Sequence, residues 1–128
     1  DLLSYGDDTV GVTVNLAAGI ASGGLAGGDS IGGVEWLQGG SGNDALTGAA
    51  GAETLEGAGG ADTLDGGLGG DSMAGGGGND VFVVDGIDDR VVEAVGQGSD
   101  LVLSSVTFSL VGQDIEDLLV LQFCGQCS

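Results

Sequence analysis

Carboxylates recur every nine residues between Gly39 and Val83: Asp44, Glu53, Asp62, Asp71 and Asp80. Oxygen donors on so fixed a period suit a hard cation, which is bound by carboxylates, carbonyls and water. Two residues behind each carboxylate stands a large apolar residue, giving a second column of Leu46, Leu55, Leu64, Met73 and Phe82. The five units read GGSGNDALT, GAAGAETLE, GAGGADTLD, GGLGGDSMA and GGGGNDVFV, and each opens on Gly.

To hold the carboxylates in line, the chain has to return to the same edge at a constant step. The triplet centred on the apolar residue, such as Ala45-Leu46-Thr47, is long enough for one short strand. The six residues before it are rich in glycine, which tolerates turn conformations. Strand, turn, strand, turn then makes one coil from two units, with successive coils hydrogen-bonded as parallel strands roughly 4.8 Å apart. The predicted fold is all-β, a flattened right-handed parallel β-roll resembling a β-helical solenoid. Units one, three and five place their turns along one edge, and units two and four along the other. Same-edge neighbours are Asp44 with Asp62, Asp62 with Asp80, and Glu53 with Asp71.

At ~5 Å and an effective dielectric of 20 to 80, each such pair repels by roughly 1–3 kcal/mol. Calcium relieves this repulsion, since it accepts six to eight oxygens in flexible geometry, whereas the smaller, strictly octahedral magnesium fits worse. At millimolar calcium and a dissociation constant near 10⁻⁴ M, each site contributes roughly 1.4 kcal/mol. The calcium-free chain is therefore expected to be largely unfolded. Unit two departs from the pattern, with Ala49-Ala50 in place of glycine and Glu53 in place of Asp. The Glu53/Asp71 site is expected to be the weakest, or empty.

The units follow the pattern G-G-x-G-x-D-x-U-x, so the chain resembles the RTX, or hemolysin-type calcium-binding, family. That resemblance implies roughly three to five bound Ca²⁺ ions and a share of the ligation for turn carbonyls. The matching positions are the carbonyls of Gly39, Ser41, Gly57, Gly59, Gly60 and Gly78. It also implies that a stretch like Val92 to Asp100 closes the roll, with Glu93 and Asp100 as further ligands. Such proteins generally leave Gram-negative cells by type I export, unfolded in low cytosolic calcium, and fold outside. The implied location is extracellular or on the bacterial cell surface.

Composition agrees with a fold that needs help. The 128 residues include 30 Gly, no Pro, and only three Phe, one Trp and one Tyr. Glycine loses the most backbone entropy on ordering. Twenty acidic residues face a single basic one, Arg90, for a net charge of −19. Such a charge opposes compaction unless cations neutralise it, and it makes nucleic acid and anionic membranes poor partners. The same composition would suit a disordered linker. A solvated linker, however, has no reason to carry Leu, Met or Phe at every ninth place. Collagen is excluded by the missing proline and three-residue period.

Outside the array the pattern decays. Val10, Val12, Val14 and Leu16 alternate with Gly11, Thr13 and Asn15, the period of a half-buried strand stacking on the start of the roll. Asp29 and Ile31 hold the sixth and eighth places of a degenerate repeat, but the fifteen-residue step to Asp44 breaks register, and Gly33 to Gln38 reads as a bulged insertion. Asp89 and Val91 occupy the acidic and apolar places of a sixth unit. Alternatively Asp85, Asp88 and Asp89 form a solvated acidic loop. Val106, Phe108 and Leu110 alternate like a capping strand. Val34-Glu35-Trp36-Leu37 is echoed by Ile115-Glu116-Asp117-Leu118, and Asp1 looks like the acidic place of a preceding repeat, so the chain reads as a piece of a longer array or as a unit that joins its ends to other copies. The expected organisation is a flank over 1–38, the roll over 39–83, degenerate repeats and capping strands over 84–121, and a tail over 122–128.

With no His, neither a Ser-His-Asp triad nor a His-ligated zinc site can be assembled, and with no Lys there is no phosphate-loop lysine. Cys124 and Cys127 form one C-x-x-C without a second pair, which reads as a short terminal disulfide or as incidental thiols. No run of apolar residues reaches the roughly eighteen needed to span a membrane, and the first residues do not read as a signal peptide. The reading is a calcium-binding module without enzymatic activity. Two others stand beside it: a structural or adhesive protein that self-assembles end to end into fibres in calcium, and an accessory module of a polysaccharide-acting enzyme.

Overall fold

The structure, a computed structural model, describes residues 2–24, 33–85, 88–92, 98, 100–104 and 117–119. Within these residues the chain is all strand and turn. In order, the strands are β1 (Leu2–Ser4), β2 (Thr13–Asn15), β3 (Ile20–Ser22), β4 (Trp36–Gln38), β5 (Ala45–Thr47), β6 (Thr54–Glu56), β7 (Thr63–Asp65), β8 (Ser72–Ala74), β9 (Val81–Val84), β10 (Arg90–Val92), β11 (Leu101–Ser104) and β12 (Asp117–Leu119).

From β3 to β11 successive strands alternate between two sheets. One sheet runs β1-β4-β6-β8-β10 and the other β12-β11-β9-β7-β5-β2-β3. Every pairing is parallel except β2 with β3, as a parallel β-roll requires. Each triplet turns its middle residue inward, because side chains alternate across a strand. Leu37, Leu55, Met73 and Val91 therefore stack in register in the first sheet. Val14, Leu46, Leu64, Phe82 and Val102 do so in the second. All nine are buried, so the eighth place of each unit forms the core.

Leu64 lies in the middle of that stack and is fully buried, whereas Leu68 in the following turn is 68% exposed. In calcium, Leu64→Ala is expected to lower the unfolding free energy by ~2–5 kcal/mol. Leu68→Ala is expected to change it by no more than about 0.5 kcal/mol. Denaturant titration of both variants checks the contrast.

The flanks join the same sheets, with two corrections. Residues 33–38 do not bulge out. Their last three form β4, seated between β1 and β6, and Leu37 is completely buried. Leu37 precedes Leu55 by one eighteen-residue coil, so it keeps the core register that the step from Asp29 had hidden. The predicted strand from Val10 to Leu16 is also shorter than its alternation suggests. Only Thr13–Asn15 pair, Val12 and Val14 are buried, and Val10 is exposed. The chain then reverses at Gly19, whose N–H donates to Asn15 O at 2.9 Å and whose φ is +72°. This reversal lays β3 antiparallel against β2 and covers that end of the second sheet. The proposed capping residues Val106, Phe108 and Leu110, the degenerate pair Asp29 and Ile31, and the two cysteines lie outside the described residues.

Candidate metal centre

The sixth residue of each unit ends its turn and starts the next strand, which fixes its backbone in the ladder. Thr63 N donates to Asp44 O (2.8 Å), Ser72 N to Glu53 O (2.9 Å), Val81 N to Asp62 O (2.8 Å) and Arg90 N to Asp71 O (2.7 Å). The carboxylates along the two edges are all buried: Asp44, Glu53, Asp62, Asp71, Asp80, Asp89 and Asp100 are each 7% exposed or less. Asp89 thus belongs to the column, while Asp85 and Asp88 are exposed, dividing the acidic stretch between the two readings.

Each aspartate of the column uses one oxygen on the coil before it. Asp62 Oδ1 accepts from Asp44 N (2.8 Å), Asp80 Oδ1 from Asp62 N (2.9 Å) and Asp100 Oδ1 from Asp80 N (2.9 Å) along one edge. Along the other edge, Asp71 Oδ1 accepts from Glu53 N (2.9 Å) and Asp89 Oδ1 from Asp71 N (3.0 Å). The second oxygens of Asp62, Asp71 and Asp80, and Oε2 of Glu53, are buried with no hydrogen-bond partner. A buried carboxylate oxygen without a donor is costly, and a cation is the partner that removes the cost. Asp44 differs: its Oδ1 accepts from Val12 N (2.8 Å) and its Oδ2 from Gly40 N (2.9 Å).

The first glycine of each unit makes room for these oxygens. A Cβ built on Gly57, Gly66 or Gly75 would overlap the Oδ2 of Asp62, Asp71 or Asp80. The same atom on Gly57 would lie 2.8 Å from Gly75 O, and on Gly39 2.9 Å from Gly57 O. Carboxylate and carbonyl oxygens from neighbouring coils therefore converge beside each leading glycine. All donors there are oxygens, which suits a hard divalent ion. Among the described residues no three acidic side chains converge on one point, so carbonyls have to supply part of any coordination shell. The carbonyls of Gly60 and Gly78 face the fourth residue of the next coil, Gly78 and Gly98. Among the described residues the backbone bonds between coils go to Asp8, Gly40, Ala58, the sixth-place residues and strand-end carbonyls such as those of Glu56, Asp65 and Ala74, and none goes to the carbonyls of Gly39, Ser41, Gly57, Gly59, Gly60 and Gly78. Glu93 lies outside the described residues.

Without a cation, burial raises the pKa values of Asp44, Asp62, Asp71 and Asp80. Asp62 is pushed up to about 7, by burial first, with the flanking Asp44 and Asp80 carboxylates adding to the shift and the bond from Asp44 N opposing it. Asp71 also reaches about 7 and Asp80 about 6, burial again leading. These folded values exceed the unfolded value of 3.8, so the cation-free fold binds protons more tightly than the unfolded chain. That stabilisation is complete below pH ~4 and is lost as pH rises through about 6 to 7. In chelator, β-sheet circular dichroism is therefore expected to grow as pH falls from 8 to about 4.5. In the same range, calcium affinity is expected to fall because protons occupy the same oxygens. A chelated chain that stays unfolded throughout would contradict this.

Two acidic residues escaped the repeat pattern. Glu35 precedes Glu53 by one coil, and Thr54 N donates to Glu35 O at 2.7 Å, the bond made at every sixth place. Counting eighteen back from Glu53 would have found it. Asp8 is buried, its Oδ1 accepting from Val10 N at 2.8 Å, and it helps raise the Asp44 pKa after burial. No period leads to Asp8, because the hairpin and its return separate the first coil from the second in sequence.

Residues 29–64 and 47–82 match the family described as the RTX calcium-binding nonapeptide repeat (4 copies). No curated protein matches the chain.

Proposed function

Because residues 29–82 carry RTX calcium-binding repeats, we propose that the chain is a calcium-binding β-roll module of a secreted or cell-surface bacterial protein that folds on meeting calcium outside the cell. The observation that carries this reading is the row of buried carboxylate oxygens without donors, at Glu53, Asp62, Asp71 and Asp80. When bound, calcium supplies positive charge and six to eight coordination positions for oxygen. On one edge Asp44, Asp62, Asp80 and Asp100 would hold it, and on the other Glu53, Asp71 and Asp89, with turn carbonyls completing each shell. The backbone bonds to the first oxygen of each aspartate orient the second, and the leading glycine lets it approach the next coil. These carboxylates serve folding, and we assign them no catalytic step.

RTX repeats are typical of secreted bacterial proteins, which supports export by the type I route. No helix among the described residues is long and apolar enough to cross a membrane. Native mass spectrometry over a calcium titration tests the proposal, with roughly three to five ions expected on the folded chain. A folded chain that takes up no calcium would overturn it.

A second reading, assembly of rolls end to end, is favoured by one observation. β1 is the last strand of its sheet, and its Leu2 lies beside Trp36, both exposed, whereas β3 closes the same end of the other sheet. Light scattering with and without calcium separates the readings, since only assembly raises the mass in calcium.

A further inference from the structure

We infer that the turn over residues 39–44 is latched by its own backbone: the Gly40 N–H holds the Asp44 oxygen that a calcium ion needs, so this turn takes its ion last. The inference rests on the roll being a calcium-binding module, and it concerns the order in which the turns fill. Gly40, Ala58 and Gly76 are the second residues of three successive turns on one edge. Gly59 N donates to Gly40 O at 3.0 Å, and Gly77 N to Ala58 O at 2.8 Å, which ties these turns together. Beside Asp44 the oxygens gather as they do at the other turns. A Cβ on Gly39 would overlap Asp44 Oδ2 and lie 2.9 Å from Gly57 O. The N–H makes the difference. Gly40 N donates to Asp44 Oδ2 at 2.9 Å, whereas Oδ2 of Asp62, Asp71 and Asp80 has no hydrogen-bond partner.

Backbone conformation separates this turn from the others. In turns 57–62, 66–71 and 75–80 the second residues, Ala58, Gly67 and Gly76, have φ of +78°, +80° and +86°. Their fourth residues, Gly60, Gly69 and Gly78, have φ of +91°, +95° and +101°. Gly40 and Gly42 hold the same two places, and neither is left-handed. As between type I and type II turns, such a change turns over the peptide that joins the first residue to the second, so its N–H points to the opposite side. Gly67 N accordingly donates away from Asp71, to Asp65 Oδ1 at 3.0 Å. The amino-terminal coil packs against the latch: Ser41 N donates to Asp8 O at 2.8 Å, and a Cβ on Gly40 would overlap that carbonyl oxygen. Ala49 is not left-handed either, yet nothing latches its turn, since Glu53 Oε2 has no hydrogen-bond partner.

An N–H aimed at a carboxylate offers the partial positive charge that a cation would bring, so Asp44 is satisfied without one. Calcium can use this oxygen only after the peptide between Gly39 and Gly40 turns over, a change that glycine makes at little cost. Giving up a hydrogen bond to a charged acceptor weakens the ion's hold there by about tenfold or more. The roll therefore answers to two calcium levels. At the lower, turns 57–62, 66–71 and 75–80 are filled and turn 39–44 is closed by its own N–H. At the higher, that turn opens and binds.

The test follows the ¹⁵N-labelled full chain through and beyond its calcium-induced folding. Amides of residues 57–62, 66–71 and 75–80 are expected to reach their final shifts as the chain folds. Those of Gly40 and Asp44 are expected to move again at about tenfold higher calcium. The Gly40 amide, protected from solvent exchange up to that point, should then lose its protection. Asp44→Asn is expected to abolish the later step. Absence of a later step at Gly40 and Asp44, a later step without loss of Gly40 protection, or one that survives in Asp44→Asn overturns the latch while leaving the calcium module intact. A chain that takes up no calcium overturns the module reading, and the latch with it.

Discussion

Moving the calcium-loaded protein into chelator near pH 7.5 is expected to abolish most of its β-sheet circular dichroism, in one cooperative step that added calcium reverses. At millimolar calcium, three to five sites of roughly 1.4 kcal/mol each supply about 4–7 kcal/mol. Natural domains of this size are stable by only about 5–15 kcal/mol in all. Little else here resists the loss. The core is one apolar residue per half-coil, from Leu37 and Val14 down to Val91 and Val102. Removing the ions also leaves the second oxygens of Asp62, Asp71 and Asp80 buried and unpartnered. The net charge of −19 then acts with nothing against it but Arg90 and the surrounding salt. Magnesium at equal concentration is expected to restore little of the signal. A chelated chain that keeps its spectrum at neutral pH would show that the apolar stack suffices alone.

The second large effect is expected from one methyl group. Gly75→Ala should lower the stability in calcium by about 2–5 kcal/mol and remove at least one bound ion. Gly75 is buried, and the added Cβ would overlap Asp80 Oδ2. If Asp80 moves aside, the hydrogen bond from Asp62 N to its Oδ1 is lost, leaving a buried N–H without an acceptor. Gly77→Ala, two residues further along the same turn, is the control. A Cβ there meets nothing within 4 Å, and its φ is not in the left-handed region. The control is expected to be neutral, or to gain about 0.4–1 kcal/mol through lost freedom in the unfolded chain. Denaturant midpoints and calcium stoichiometry of the two variants decide the matter, and equal losses would remove the steric argument.

What was legible in the sequence follows from what the period encodes. A nine-residue step fixes a half-coil, so the apolar column named the core from Leu46 to Phe82 and the acidic column named the residues that end each turn. The allocation of each carboxylate's two oxygens was not legible. Spacing brings Asp62 beneath Asp44, but only the folded backbone shows one oxygen committed to Asp44 N and the other stranded. The repulsion inferred from spacing is thus partly offset by these bonds, while burial adds a penalty that spacing does not show. β4 was missed because the count ran forward from Asp29 rather than back from Leu55. Val12 holds a sixth place in the first coil with no carboxylate, so no pattern of acids could have put its N–H on Asp44 Oδ1. The hairpin that adds β3 turns on Gly19, in a stretch whose alternation pointed to one longer strand.

The carboxylate–backbone bonds that join one coil to another all run the same way: an N–H of one coil donates to the acid of the coil after it in sequence. The stack therefore has a grammar, in which each line is finished only by the next. Losing the earliest coil exposes a carboxylate, which water can solvate. Losing the latest strips the preceding coil of its acceptor and leaves an amide N–H with none. Order consequently propagates backward along the chain, from the carboxyl-terminal coils toward the amino-terminal ones, and a chain emerging amino end first would have to wait for its last coils before its first could lock.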